Sequence, residues 1–215
     1  QGQIPYEKGQ YPMLRWGMVR NRSPQGLTEG EIHAILRAAG ESKHGLAKRN
    51  YALVQLMVQA GLRVGEVSKL CAVDVTIQSR SGSVRVQDGK GQKQREIPLN
   101  ATARRALKGY LQTRGRIQKN DPLFSSTRGD PISVRSIQSV IGSLARRAKV
   151  KRIEVSPHNF RHTFALSYLK QNPGKLVELA SLLGHDSLDT TAIYTRPSAE
   201  DLAKDLENSA LNVYG

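Results

Sequence analysis

Sulfur, acidic groups and long apolar runs are all scarce in this chain, and each scarcity closes off a class of protein. The single cysteine, Cys71, can form no internal disulfide, so the chain is not a disulfide-stapled scaffold. It follows Leu70 in an apolar stretch and reads as core filler rather than a nucleophile. A reducing, cytoplasmic compartment suits that usage. No apolar run approaches the ~18 residues that a membrane span requires, and no signal-peptide pattern opens the chain. Neither an internal repeat nor a low-complexity tract is present. Acidic residues number 18 against 33 lysines and arginines, and 33 − 18 gives +15 over 215 residues. A basic excess of that size favours a polyanionic partner, because neutralising phosphates releases their counterions. The cations are spread along the chain rather than lining one amphipathic face, which argues against a membrane-surface helix. Nucleic acid leads as the partner class, with a merely soluble, highly charged protein as the other reading.

The pattern along the chain predicts an α+β fold, mainly helical with a small three-stranded antiparallel sheet. Residues 1–26 hold Pro5, Pro12, Pro24 and four glycines without a sustained period, and read as a linker or extended arm. Gln1 stands where an initiator methionine is expected, which points to a segment removed upstream. Thr28 and Glu31 form a T-x-x-E capping box, with Leu27 placed to staple onto Ile32. That helix runs to Gly40 on an apolar face of Ile32, Ile35 and Leu36. A second helix is expected over 46–60, ended by Gly61 as a C-cap, and a short third over 64–70. Arg63 therefore lies at a helix N-terminus after a tight turn, wedged between two apolar helices. From Val73 to Leu99 the period changes to two, in Val73/Val75/Ile77, Val84/Val86 and Ile97/Leu99, with glycine-containing turns between. The second turn, 88–94, presents Lys90 and Lys93. It lacks the serine or threonine of a nucleotide-binding P-loop.

Asn100 caps a helix expected over 102–114, and 115–132 reads as a loop. Ser133 caps the next helix, whose buried stripe is Ile137, Val140, Ile141, Leu144 and Ala148. Its other face carries Arg135, Arg146 and Arg147. Arginines beside small polar residues near a helix start suit a major groove. Arg135 is assigned to DNA, whereas Arg146 and Arg147 fit a DNA contact and a solvated basic face equally. Ser156 and Pro157 are N-cap and N1 of a helix to Gln171, with His158 and Arg161 on one face of its start, where dipole and free amides favour an anion. A helix over 175–183 ends at Gly184, His185 follows, and a short helix over 187–193 delivers Tyr194. Ser198 and Asp201 cap a last helix.

Histidines 158, 162 and 185 raise the possibility of a metal site. Arg161 stands between the first two, and no carboxylate pattern accompanies them, so no metal is assigned. Fixed cations suit phosphoryl transfer instead. Guanidinium forks match phosphate oxygens, a lysine can protonate a leaving oxygen, and a phenol can attack once an imidazole helps remove its proton.

At this point a family comes into view. GLRVGEVSKL (61–70) resembles the first arginine box of the tyrosine recombinase (phage-integrase) family, HNFRHTFA (158–165) its His-x-x-Arg box, and LLGHDSLDTTAIYT (182–195) its last box. With the hairpin lysine, all four occur in family order. The resemblance implies a catalytic-domain fold over 27–197, with 198–215 a C-terminal helix and tail that docks onto a neighbouring protomer. It implies a site-specific recombinase or integrase of a mobile element, acting on double-stranded DNA as a tetramer on two sites, with no metal or nucleotide cofactor. Type IB topoisomerase-like relaxation and a non-catalytic DNA-binding module are the alternatives.

Position by position, the family's pattern makes Arg63 and Arg161 the phosphate clamp. Lys90 becomes the acid for the leaving 5′-oxygen, with Lys93 as the other choice. His158 is base or proton shuttle, His185 a phosphate ligand and Tyr194 the nucleophile. Glu66 orients Arg63 or a neighbour. His162 also matches the family and is assigned to packing. The family places a helical core-binding domain before this one, and 26 residues cannot hold it, so the expectation is a piece of a longer recombinase, with an unusually minimal member as the alternative.

Overall fold

The computed structural model describes residues 26–42, 45–87, 94–185, 187–195 and 207. Lys90, Lys93, the N-terminal arm and the expected C-terminal helix lie outside them, apart from Gly26 and Glu207. The described elements are α1 (Glu29–Gly40), α2 (Ala47–Ala60), α3 (Val64–Lys69), β1 (Val75–Ile77), β2 (Gly82–Gln87), β3 (Gln94–Pro98), α4 (Ala101–Leu111), α5 (Val134–Arg147), α6 (Pro157–Gln171), α7 (Leu176–Leu183) and α8 (Asp189–Ala192). This is the expected α+β class, with strand order β1-β2-β3 and both pairings antiparallel.

α2 is the central post. Ala52, Leu53, Val54, Leu56 and Met57 are fully buried, and the helix packs against α1, α4 and α6. Its burial extends almost all round and takes in Arg49, Asn50 and Gln55, so the helix lies inside the core rather than at its surface. α1 begins with the expected capping box, in which Glu31 accepts from the Thr28 amide at 2.8 Å and Thr28 from the Glu31 amide at 3.2 Å. α5 closes over α1, α3 and α6 with Ile137, Ile141 and Leu144 inward.

A second, smaller cluster explains why α6 has no clean amphipathic stripe. Phe160 enters the main core, while Ala165 joins Leu179 and Leu183 of α7, with Phe164, Tyr168, Leu169 and Tyr194 packed around them. α6 is thus shared between two cores. Gly61 takes the left-handed φ of 60° at the end of α2, and a Cβ there would lie 2.4 Å from the Phe164 ring. Both the turn and the close approach of α6 require glycine.

Four local expectations are revised. Val73 is exposed in a 3-10 turn, Ala72–Asp74, held by the Asp74 carboxylate on the Cys71 amide and by main-chain bonds to residues 119 and 121, so β1 starts at Val75. Cys71 is half-exposed in that turn and fills no core. α4 ends at Leu111 rather than Arg114, whose guanidinium turns back to the carbonyls of Pro122 and Leu123. The helix expected over 187–193 is one turn, Asp189–Ala192.

Candidate active site

Helix ends organise the site. A helix C-terminus carries unsatisfied carbonyls and partial negative charge, so cations settle there. Two such ends, those of α2 and α7, meet beside the start of α6. α7 stops because Gly184 adopts a φ of 64°, and its last carbonyls are then taken by three arginines from three elements. Arg95 of β3 donates from Nε to Leu182 O at 3.0 Å. Arg161 of α6 donates from Nη2 to Leu183 O at 2.8 Å and from Nη1 to Gly61 O, at the end of α2, also at 2.8 Å. Arg63, N-cap of α3, donates to Leu183 O at 3.4 Å and Gly184 O at 3.1 Å.

Arg161 is 3% exposed, with no carboxylate among these partners. Burial and the neighbouring Arg63 push its pKa down to about 10, so it remains charged at neutral pH. Glu66 supplies the local negative charge. Its Oε2 accepts from the Arg63 amide at 2.7 Å and from Arg95 Nη2 at 2.8 Å, and its Oε1 from Arg63 Nη1 at 3.2 Å. Burial alone would raise this carboxyl; the bonds from Arg95 and Arg63 outweigh it and hold the pKa below the ordinary value. Glu66 therefore orients both Arg63 and a neighbour. Three guanidiniums against one carboxylate leave a formal excess of two positive charges, suited to a phosphodiester.

His185 sits at the junction. Its Nε2 lies 2.8 Å from Arg161 Nη2, and its Nδ1 lies 2.7 Å from Thr191 Oγ1, a fully buried hydroxyl on α8. Because the guanidinium can only donate, Nε2 accepts and Nδ1 carries the proton, donating to Thr191. Burial, then Arg161, Arg63 and Arg95, lower the His185 pKa to about 4, in keeping with a neutral ring.

The clearest difference from expectation concerns His162. Assigned to packing, it instead places Nδ1 2.7 Å from the Tyr194 hydroxyl. Its ring also stands edge-on to His158, with centroids 4.1 Å apart. Burial, His158 and Arg161 hold its pKa down to about 4. Burial raises the Tyr194 phenol, with Arg161 opposing. At neutral pH the phenol is therefore protonated and the imidazole neutral, and the phenol can donate to Nδ1. His158, at the second position of α6, is exposed overall, but its ring is partly shielded where it stands against His162; that partial burial, then Arg161 and Arg63, lowers its pKa. Among the described residues no group of three His, Cys, Asp or Glu is placed to hold a metal ion.

The fold thus brings together Arg63, Glu66, His158, Arg161, His185 and Tyr194, and adds Arg95, His162 and Thr191. The i, i+4 spacing of His158 and His162 was the available signal for the second imidazole. Arg95 and Thr191 had no local signal. Arg135 and Arg146 are exposed on α5. The Arg147 guanidinium donates to Glu41 O at 3.2 Å and Ser42 Oγ at 3.4 Å, tying α5 to the end of α1.

Residues 25–201 match the model of the phage integrase family. The chain belongs to that family. It is 36% identical over 183 residues to tyrosine recombinase XerC of Neisseria gonorrhoeae, covering 85% of this chain and 58% of that protein. To tyrosine recombinase XerD of Xanthomonas campestris it is 38% identical over 189 residues, covering 83% and 57%. The chain covers a little over half of each of these two relatives. Among solved structures, the XerA recombinase matches with a TM-score of 0.71 and 33% identity over 86% of this chain and 64% of that one. XerH bound to palindromic difH substrate, in a post-cleavage complex, matches with 0.75 and 26% over 89% and 55%. Among the described residues no helix is long and apolar enough to cross a membrane.

Proposed function

We propose that this phage-integrase-family chain is the catalytic part, 27–197, of a site-specific DNA recombinase. It cuts and rejoins double-stranded DNA through a 3′-phosphotyrosine intermediate. The observation that carries the reading is the arginine cluster on the α7 C-terminus, flanked by His185, with the Tyr194 hydroxyl held by an imidazole.

The Tyr194 oxygen attacks phosphorus and the bond from phosphorus to the 5′-oxygen breaks. Arg63 and Arg161 stabilise the charge that develops on the non-bridging oxygens, and His185 donates to one of them once the phosphate has raised its pKa and Nε2 has taken a proton in place of its bond from Arg161. The tyrosine proton passes to His162, with His158 beside it as shuttle; the leaving oxygen takes its proton from Lys90, or from Lys93. Attack by a 5′-hydroxyl on the phosphotyrosine reverses every transfer, so phosphodiester energy is conserved and neither metal nor cofactor is required. A bound phosphate also raises both imidazole pKa values, because an opposite charge nearby favours the protonated form. Substrate thereby strengthens bases that are weak in the free protein. Arg135 and Arg146 contact the duplex. The complete recombinase acts in the cytoplasm as a tetramer on two sites, with 198–215 docking between protomers.

The test is adduct capture. The 215-residue chain is incubated with a random-sequence library of nicked duplexes, and protein–DNA species that survive denaturation are enriched. A site-dependent adduct that Tyr194→Phe abolishes is expected. Survival of the adduct in that variant removes Tyr194 as nucleophile, and failure to enrich any adduct refutes the strand-transfer reading. Relaxation of supercoiled DNA without sequence preference would indicate topoisomerase-type chemistry.

A further inference from the structure

Arg95 is a cation on the inward face of a strand. In β3, Ile97 is buried and shares a face with Arg95, while Gln94, Glu96 and Pro98 are exposed. An inward position on a small sheet ordinarily takes an apolar side chain, so a guanidinium there needs specific partners. Among the described residues it has two: Glu66 Oε2 at 2.8 Å and Leu182 O at 3.0 Å. The fit is close enough that a Cβ on Gly184 would lie 2.6 Å from Arg95 Nη1.

Glu66 is the link to the clamp. It is largely buried and shared between Arg95 and Arg63. Arg95 makes the shorter side-chain contact, 2.8 Å against 3.2 Å for Arg63. Without Arg95, the only remaining side-chain cation on this carboxylate among the described residues is Arg63. A low-dielectric environment strengthens that pull, and a fork-to-fork pair would draw the Arg63 donors away from a phosphate. The same loss frees Leu182 O, one residue before the carbonyl that anchors both Arg63 and Arg161.

We infer that Arg95 is a positioning residue for the phosphate clamp, satisfying Glu66 and pinning the end of α7 so that Arg63 remains available to the scissile phosphate. This rests on the strand-transfer reading. Arg95 acts through Arg63 and need not touch DNA.

The experiment uses the enriched nicked duplex in two forms, one with the ordinary scissile phosphodiester and one with a methylphosphonate there. Replacing a non-bridging oxygen by methyl removes the charge that the clamp stabilises, so a clamp defect should shrink on that substrate. Adduct formation is timed at saturating protein, with DNA affinity and melting temperature measured alongside. For Arg95→Met the expected result is at least a ~10-fold slower adduct on the phosphodiester. On the methylphosphonate the defect should be within about threefold, with affinity changed by less than about threefold; these are order-of-magnitude thresholds around a tenfold effect. Arg63→Ala should show the same substrate dependence. Adding Glu66→Gln to Arg95→Met should recover part of the phosphodiester rate, since the unpaired carboxylate is then gone. If Arg95→Met fails to fold, Arg95→Lys carries the test: it keeps the charge but cannot fork between Glu66 and Leu182 O, and should give an intermediate rate with the same substrate dependence. An equal defect on both substrates, or none on the phosphodiester, overturns the assignment. A parent chain that forms no Tyr194-dependent adduct refutes the strand-transfer reading itself, which is a different result from a parent that cleaves and an Arg95 variant that matches it.

Discussion

Replacing Gly61 by alanine separates backbone strain from packing at the joint that holds Arg161. Two costs apply. A φ of 60° is left-handed, and placing an L-residue there costs about 1–2 kcal/mol. The new Cβ also falls 2.4 Å from Phe164 Cδ1, 2.9 Å from Cγ and 3.0 Å from Cε1. That ring lies between α2 and the second core, and overpacking of this kind costs about 1–3 kcal/mol. The sum is about 2–5 kcal/mol, or a melting temperature lower by about 4–20 °C for a chain of this length. Gly115 supplies the control, because its φ is 70° and nothing lies within 4 Å of its Cβ position. Gly115→Ala should therefore show only the backbone cost, about 2–8 °C. Urea unfolding of both variants isolates the difference, expected at about 1–3 kcal/mol. A difference below about 0.5 kcal/mol, within the usual scatter of independent sites, would refute the reasoning. It would mean that Phe164 moves aside and that α6 does not need its close approach to α2. Gly61 O is also an acceptor for Arg161, so folded Gly61→Ala protein should form adduct more slowly.

His162→Phe keeps a ring against His158 and removes the acceptor from the Tyr194 hydroxyl. Adduct formation should slow by about 10²-fold or more, as for loss of a general base; an unchanged single-turnover rate would return His162 to packing. Stability of the DNA-free chain should fall as pH is lowered from about 6.5 to about 4. His162 and His185 have depressed pKa values in the fold, so in that window the unfolded chain binds more protons than the folded one. Melting temperature against pH should show that slope, and His162→Phe should flatten it. Arg135→Ala should lower DNA affinity and reduce the salt dependence by about one counterion. Arg147→Ala should change the salt slope less, because its guanidinium holds the end of α1. Affinities measured at several salt concentrations distinguish the two.

How much of this molecule was legible without coordinates depends on the range of each interaction. The Thr28–Glu31 cap, the left-handed glycines after α2 and α7, and the alternation of Val84, Val86 and Ile97 are local patterns, and the structure realises them. Val73 and Cys71 depart from the local pattern because main-chain bonds to residues 119 and 121 override the strand period and turn the chain. The boxes around Arg63, Arg161, His185 and Tyr194 were readable as residue types at fixed spacing. Their assembly was not. Arg63 reaches carbonyls 120 and 121 residues away, Arg161 one 100 residues away and Arg95 one 87 residues away. Those bonds exist because two helix ends expose carbonyls toward one another, a consequence of packing around α2. His162 meets Tyr194 across 32 residues only because α7 and the second core fold the last box back onto α6.

By itself, then, the sequence determined the elements, the basic character and the residues able to perform phosphoryl chemistry, since each follows from spacing within a turn or a strand. Only the tertiary structure decided that the guanidiniums are held by helix C-termini, that Arg95 shares Glu66 with the clamp, and that an imidazole assigned to packing holds the phenol. A long-range contact depends on where two packed surfaces bring their polar groups, and no local pattern encodes that.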